Sequence, residues 1–551
     1  MKKYHTLLVV AITILFVMLL TWILPITYFS GELIAGDRMQ AGIFTGLTYS
    51  LFTFYNFIYV FLYLLCVGGL YGLLNRTGAY RVLLDKIVKH VKKRKVLWLI
   101  ITVLLISVVV SFTGYTFQML VFLPFIAAIV LLLGYDKITA AMVTVGSVSV
   151  GVIGSTFSKN IVGKLNGLLE NVGYTDLIIP KAVLLLVCAL ILILNIAHYA
   201  KKKSVKEDIE EGFLVPEKVN DRKVKVWPLV TILTVFTIVL ILAEINWSEA
   251  FKITFFDNAL TTIKSWPILS KYIVLTVSVL VILYNVILSL YKRKKAAKKD
   301  DKLMSKRRMI VTIVFGVLAF LALLKIMLED VFGATMFMNK ALEAIKVDGL
   351  ISGFTFDKLL GSVAAFGSWT YNDYVMAMIV VCAAIKFSYR IKVNEVVGSV
   401  GDGFKKVLYA CIVVVLSYTS LILLSSNPVG LTVLKPLLGL TDGLNILTYP
   451  LCTLFSGLFN TDFAYYEYGV LNLNYAATVF SGSGVLPLAE FITQTMYGFA
   501  ILLAPTSVVL LFTLSVLDIK YTTWLKKILF ILLELLLALF IGYLVVKLWI
   551  I

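Results

Sequence analysis

The chain has 551 residues, 60% of them hydrophobic and 15% charged, with a mean hydropathy of +0.97. Globular domains run at about 45–50% apolar and about 25% charged, so there is too little polar side chain here to wet a soluble surface, and a soluble multidomain enzyme is excluded. The formal net charge of +19 lies mostly in short loops between apolar runs, a pattern of topology control and not of nucleic-acid binding.

A helix needs about 20 apolar residues to cross about 30 Å of hydrocarbon. By that measure the chain predicts an all-α polytopic membrane protein with crossings at 6–29, 51–75, 137–165, 182–200, 227–246, 270–291, 309–328, 372–389, 405–425, 485–518 and 527–549, about eleven in all. The first run, Thr6–Phe29, follows Met-Lys-Lys but is too long for a signal peptide's core and carries Pro25 and aromatics where small cleavage-site residues belong, so it reads as a retained helix. Two further apolar stretches, 97–134 and 443–480, are too long for one helix and are interrupted by the polar tips Ser111–Gln118 and Asn460–Gly469. Each predicts a re-entrant hairpin that enters and leaves on the same side, which is tolerated only where protein or water surrounds the tip.

With that layout, the N-terminus and segments 76–96, 134–137, 201–226, 292–308, 386–406 and 520–527 hold 37 of the 50 Lys and Arg. These segments are therefore expected in the cytosol, with the C-terminus outside, in a bacterial inner membrane. Lys292–Arg308, with ten basic residues, and Lys201–Lys225 read as solvated loops that meet anionic lipid. The five cysteines fall inside apolar stretches without a CxxC pair, and the three histidines lie near cytosolic helix ends, so neither a disulfide frame, a metal cluster nor a histidine relay is visible.

The order of elements in residues 1–200 recurs in residues 372–551: two crossings, an amphipathic segment, a hairpin, an interrupted crossing and a last crossing. Residues 201–371 supply three crossings between them, and an odd number turns the second unit upside down. Inverted repeats with discontinuous helices at the midplane mark secondary transporters. The interruptions correspond as well. Gly151 and Gly154 weaken the helix begun at Lys137, and Pro505 removes a backbone donor from the helix begun near Val485. Carbonyls and hydroxyls freed at such breaks can ligate a cation, and freed N–H groups can hold a carboxylate. Thr113, Thr116 and Gln118 on the first tip, and Ser155, Thr156, Thr506 and Ser507 at the breaks, are uncharged groups suited to orienting a small polar solute. Glu490 and Gln494 lie one turn apart before the second break, where Glu490 reads either as a proton-linked carboxylate or as a residue at the helix's wet end. Glu534, alone in the last span, is expected to meet a neighbouring helix.

The run Leu503-Ala-Pro-Thr-Ser507 followed by Asp518-Ile-Lys-Tyr-Thr-Thr-Trp-Leu-Lys526 resembles the C-terminal signature of the YfcC-like and C4-dicarboxylate anaerobic carrier family. Gly68-Gly69-Leu-Tyr-Gly72-Leu-Leu-Asn-Arg-Thr-Gly78-Ala79 and the Gly151–Ser155 break are similar to two more of its motifs. The resemblance implies eleven crossings with two opposed hairpins, a homodimer, an elevator-like transport domain, and a dicarboxylate or amino-acid substrate coupled to Na+ or H+. It places sodium at Gly154, Ser155, Ala504 and Thr506. After the first break the family continues with Asn-Pro-Phe, whereas this chain has Thr156-Phe-Ser158-Lys159-Asn160. An ammonium inside the bilayer costs at least about 2.5–3.5 kcal/mol, so Lys159 either takes a partner or snorkels outward. Asp462 and Glu467 beside Asn460 on the second tip are its expected partners, with Lys159 gripping a substrate carboxylate or replacing a coupling cation and an acid meeting a substrate amine.

The expectation is thus an ion-coupled or exchanging secondary transporter of a small carboxylate-bearing solute, with no P-loop and no nucleotide domain. A polyprenyl-linked sugar polymerase is the alternative from another class, and would need a large external loop with paired Arg or His. A transport-inactive structural member of the fold is the third.

Overall fold

In a computed structural model of the chain, the described residues are 4–169, 172–173, 176–202, 211–218, 224–244, 275–285, 310–316, 318–319, 369–439, 444–460, 462, 477–480 and 484–550. They fall in two units: Met1–Asn246 with Thr370–Ile551, and Trp247–Trp369. Within the second unit the described helical stretches are Leu275–Asn285 and 310–316, both apolar. The predicted crossings 270–291 and 309–328 lie largely outside the described residues.

The first unit opens with α1 (His5–Ile23), an uncharged apolar helix after its first residue. It ends where Leu24 turns extended ahead of Pro25, since a residue before proline is pushed out of the helical region. The first crossing, expected to run to Phe29, therefore ends at Ile23, and its last residues belong to a short antiparallel hairpin, β1 (Thr27–Phe29) with β2 (Leu33–Ala35). The predicted span 51–75 is two helices, α2 (Ile43–Asn56) and α3 (Ile58–Arg76), hinged at Phe57. The helix starts earlier than hydropathy placed it because α2 is apolar on its outer side: Ile43, Phe44, Leu47 and Leu51 are exposed while Gly46 and Thr53 are buried.

The Gly68-Gly69 and Gly72 motif lies on α3 where it crosses α13 (Val393–Ser417). A Cβ on Gly72 would stand 2.9 Å from the Gly403 Cα, and one on Gly403 would strike the Gly68 carbonyl oxygen. These glycines therefore let two backbones touch, the usual role of small residues at helix crossings in lipid. Gly78, in the left-handed region at φ +65°, turns the chain into the basic helix α4 (Ala79–Val91).

The first predicted hairpin comprises α5 (Lys95–Thr113), closed by Gly114 at φ +72°, and the ten-residue α6 (Leu123–Leu132). At about 1.5 Å per residue α5 is close to a full crossing while α6 covers about half of one. After Asp136, whose side chain accepts the Thr139 N–H at 2.8 Å, comes α7 (Lys137–Ala141), continued through a π turn by α8 (Ser147–Ile153). The helix stops at Gly154 and resumes, through a second π turn at Lys159–Gly163, as α9 (Lys164–Leu168). Then follow α10 (Ile178–Lys202) and α11 (Trp227–Glu244).

The later part begins with α12 (Tyr371–Tyr389), whose start is fixed by a Thr370/Asp373 capping box. After α13 come α14 (Thr419–Ser426), α15 (Gly430–Gly439) and α16 (Thr448–Phe459), the first arm of the second predicted hairpin. The last interrupted crossing is α17 (Leu486–Ala500) and α18 (Val508–Leu517), separated by 501–507, and α19 (Tyr521–Ile550) closes the chain.

Seven stretches among the described residues are long and apolar enough to cross a membrane. Six coincide with predicted crossings, and the seventh, Ala79–Thr113, joins the basic segment to the first hairpin arm. Isoleucines and leucines such as Ile12, Leu186, Leu194, Leu537 and Leu548 face outward at more than half exposure, the inside-out surface that only a hydrocarbon solvent favours. The chain is a multi-pass membrane protein.

Candidate functional site

The two interrupted helices are packed against each other at their breaks. Gly498 on α17 meets α8 so closely that a Cβ there would stand 2.7 Å from the Ile153 amide nitrogen, and the Ser149 hydroxyl donates to the Gly498 carbonyl at 2.8 Å. Gly151 plays the corresponding part toward α5, where a Cβ would stand 2.7 Å from the Ser107 carbonyl oxygen.

At the first break α5 supplies a ladder of hydroxyls. Ser107 donates to the Ser147 carbonyl at 3.0 Å and Ser111 to the Gly154 carbonyl at 2.6 Å, while the Ser111 carbonyl accepts the Thr156 N–H at 3.0 Å and the Ser155 hydroxyl at 3.2 Å. The Ser155 and Ser158 hydroxyls lie 2.6 Å apart, and Ser158 caps the following π turn. The carbonyls that end α8 carry the negative end of its dipole. They are collected by one side chain from the other end of the sequence: the Gln494 amide nitrogen lies 3.3, 3.0 and 2.9 Å from the carbonyl oxygens of Val152, Ile153 and Ser155. A carboxamide has two N–H donors for these three acceptors, so they are shared. Its own oxygen is buried with no hydrogen-bond partner among the described residues.

One turn before Gln494, Glu490 forms an ion pair with Lys181 of α10, Nζ lying 3.0 and 2.9 Å from the two carboxylate oxygens, and both side chains are 0% exposed. The wet-end reading of Glu490 is thereby corrected: the residue sits within the first turn and a half of α17, yet neighbouring helices seal it. In the sequence Lys181 directly precedes the apolar run 182–200, where it reads as a flanking charge. Glu534 accepts a hydrogen bond from Asn195 of α10 at 2.5 Å.

The second break is satisfied differently. Pro505 has no N–H, and the carbonyls left unpaired at the end of α17 are reached from α19, where the Trp524 indole donates to the Leu502 carbonyl at 2.8 Å and the Tyr521 hydroxyl donates to that of Leu503. The Tyr and Trp of the C-terminal motif are thus donors to a broken helix. Ser507 caps α18, accepting the Leu510 N–H and donating to the Ile501 carbonyl at 2.9 Å, and Thr506 donates to the Leu458 carbonyl at 3.0 Å.

Both tips reach this second break. Thr116 and Phe117 of the first tip, Asp462 of the second, Tyr418, and Ile501 and Ser507 line one cavity of only about 10 Å³. Tyr418 donates its hydroxyl to the Asp462 carboxylate, and the Asn460 side-chain oxygen accepts the Asp462 N–H at 3.2 Å. An aromatic cluster holds the first tip: Tyr63 donates to the Gln118 carbonyl at 2.8 Å and stacks at a tilt 4.7 Å from Phe117, while Phe57 stacks on Tyr418 with centroids 4.0 Å apart.

Of the sequence-predicted residues, Thr116, Asp462 and Ser507 therefore share a cavity, with Asn460 and Thr506 bonded beside it. Ser155 and Thr156 belong to the first break. Thr113 turns back on its own helix, donating to the Val109 carbonyl at 2.7 Å and accepting the Tyr115 N–H. Lys159 is exposed and Asn160 half-buried at the start of the π turn, and the ion pairs among the described residues do not include one between Lys159 and Asp462. Glu467 lies outside the described residues. Among the four residues expected at sodium, the Gly154 carbonyl is taken by Ser111 and that of Ser155 by Gln494, while the Ala504 carbonyl accepts the Ser507 N–H at 3.1 Å. The hydrogen bonds described for Gly154 and Ser155 run to α5, α8, Ser158 and Gln494, and those of Ala504 and Thr506 to Ala500, Ser507, Ser417 and Leu458.

The sequence model of the C4-dicarboxylate anaerobic carrier family matches residues 4–460, a stretch that includes the first break and ends at the second tip. Among solved structures the chain is similar to the Alcanivorax borkumensis YdaH transporter, at 13% identity over 98% of this chain and 97% of that one, with a TM-score of 0.35. No curated protein sequence matches.

Proposed function

Because the chain belongs to the C4-dicarboxylate anaerobic carrier family and is a membrane transporter, not an enzyme, we propose that it moves a small carboxylate-bearing solute, a C4-dicarboxylate or an amino acid, by alternating access. The observation that carries this reading is the meeting of the two tips at a helix break, with Thr116, Asp462 and Ser507 around one cavity. Hydroxyls and the Ser507 helix start suit a carboxylate, and Asp462 suits a substrate amine or a proton. Small-molecule sites span about 300–1,000 Å³, so a cavity of about 10 Å³ is a closed form from which the tips must part to admit solute. The unequal arms α5 and α6 support a re-entrant first hairpin, and the recurring order of elements supports an inverted repeat whose transport domain moves like an elevator. In the same reading the N-terminus is cytosolic and transport is driven by Na+ or H+.

The test is uptake of radiolabelled succinate, fumarate and aspartate by vesicles holding the purified protein, with an imposed sodium or proton gradient. Accumulation driven by one gradient is expected, and D462N should reduce it. Absence of both uptake and exchange for every dicarboxylate and amino acid tried would overturn the assignment.

A further inference from the structure

A second cavity, of about 570 Å³, lies between α3, α4, α5, α6 and α11. It is large enough for a drug-sized apolar guest. Its lining is overwhelmingly aliphatic and aromatic and includes no charged group, so it suits no carboxylate. Ile101, Leu105 and Ile238 belong to its wall and are 52%, 58% and 51% exposed, which places its open side on the outer, hydrocarbon-facing surface of α5 and α11.

Tyr80 stands apart from three other hydroxyls that line this cavity. Tyr71 donates to the Val121 carbonyl at 2.8 Å, Thr102 to that of Trp98 at 2.9 Å and Thr237 to that of Leu233 at 2.8 Å. Tyr80 on α4 is 1% exposed, lines the cavity, and leaves its hydroxyl buried with no hydrogen-bond partner among the described residues. An orphaned buried hydroxyl is costly, so an occupant that brings an acceptor oxygen is favoured over a pure hydrocarbon.

The same helix carries the charge. Leu83 and Ile87, one and two turns beyond Tyr80, line the cavity, and Lys86, Lys89 and His90 beside them are exposed, followed by Lys92, Lys93 and Arg94. The one acid of α4, Asp85, is engaged by Arg81 at 3.0 Å. A basic cluster against a membrane-crossing helix attracts anionic headgroups.

We propose that this cavity is a binding site for an anionic phospholipid: one acyl chain fills the apolar space, an ester carbonyl accepts from Tyr80, and the phosphate lies against Lys86, Lys89 and His90. Trp98, in the cavity wall, is a built-in reporter. Its signal is isolated by subtracting W98F from the wild type, both reconstituted in phosphatidylcholine vesicles containing a minor fraction of brominated lipid. Brominated phosphatidylglycerol should quench Trp98 well beyond its share of the bilayer, brominated phosphatidylcholine should not, and K86E/K89E should lower the preference about tenfold or more. Both substituted lysines are exposed, so the variant keeps its fold. Equal quenching by the two lipids would overturn the headgroup assignment, and quenching by neither would overturn occupancy by lipid.

Discussion

Lys181 and Glu490 show what a buried charge pair asks of its surroundings. Neither can be removed alone without leaving an uncompensated charge, at a cost of about 3–5 kcal/mol, whereas replacing both by apolar side chains is near neutral. K181M is therefore expected to lower the unfolding temperature in detergent sharply, and K181M/E490L to restore it to near the wild type. A double variant as unstable as the single one would show that the ion pair is not what binds α10 to α17. Residue chemistry of this kind was barely legible in the sequence. Glu490 was visible as an acid near an apolar span, but its environment is set by a partner 309 positions earlier. Gln494 likewise reads as an ordinary polar residue until the carbonyls it serves are brought to it.

The helix breaks were far more legible, because their causes are local. Gly151 and Gly154 weaken the first helix and Pro505 withdraws a donor from the second, and the interruptions fall at 154–158 and 501–507. What local composition does not carry is why the helices must break side by side, which rests on Gly498 admitting the Ile153 backbone. G498V would press two methyls into a contact already closer than van der Waals distance for the Cβ, an overpacking that costs about 1–3 kcal/mol. Its expected effect is a loss of uptake of about tenfold or more with protein still inserted, read by transport in vesicles at matched protein content, and a variant with full uptake would separate the crossing from transport. The β1–β2 hairpin is illegible for the opposite reason: its three-residue strands are too short a window for hydropathy, and β1 merges into the apolar run that precedes it.

For the whole molecule, hydropathy and charge identified a multi-pass membrane protein, since a lipid solvent and the positive-inside bias act on composition and leave long, redundant traces. The same bias makes a prediction about sidedness. A cysteine placed at Ser305, within the basic run Lys292–Arg308, should react with a membrane-impermeant maleimide only after the cytosolic face is opened, and one at Asn258 should react from outside. The reverse pattern would invert the assigned orientation. Redundancy of that sort does not extend to the solute: on the function proposed above, the choice between a dicarboxylate and an amino acid would turn on a handful of groups near Asp462.

The Gln494 amide also bears on how this polypeptide is made. It lies 339 positions downstream of Ser155, and Tyr521 and Trp524 come later still. A ribosome threading the chain into the bilayer from its amino end therefore releases the first break long before its donor exists. Until Gln494 has been made, those carbonyls must borrow partners from water or from the translocation machinery. Products truncated before Gln494 should consequently be poor substrates for stable insertion, and both breaks have their donors only once α17 and α19 have arrived.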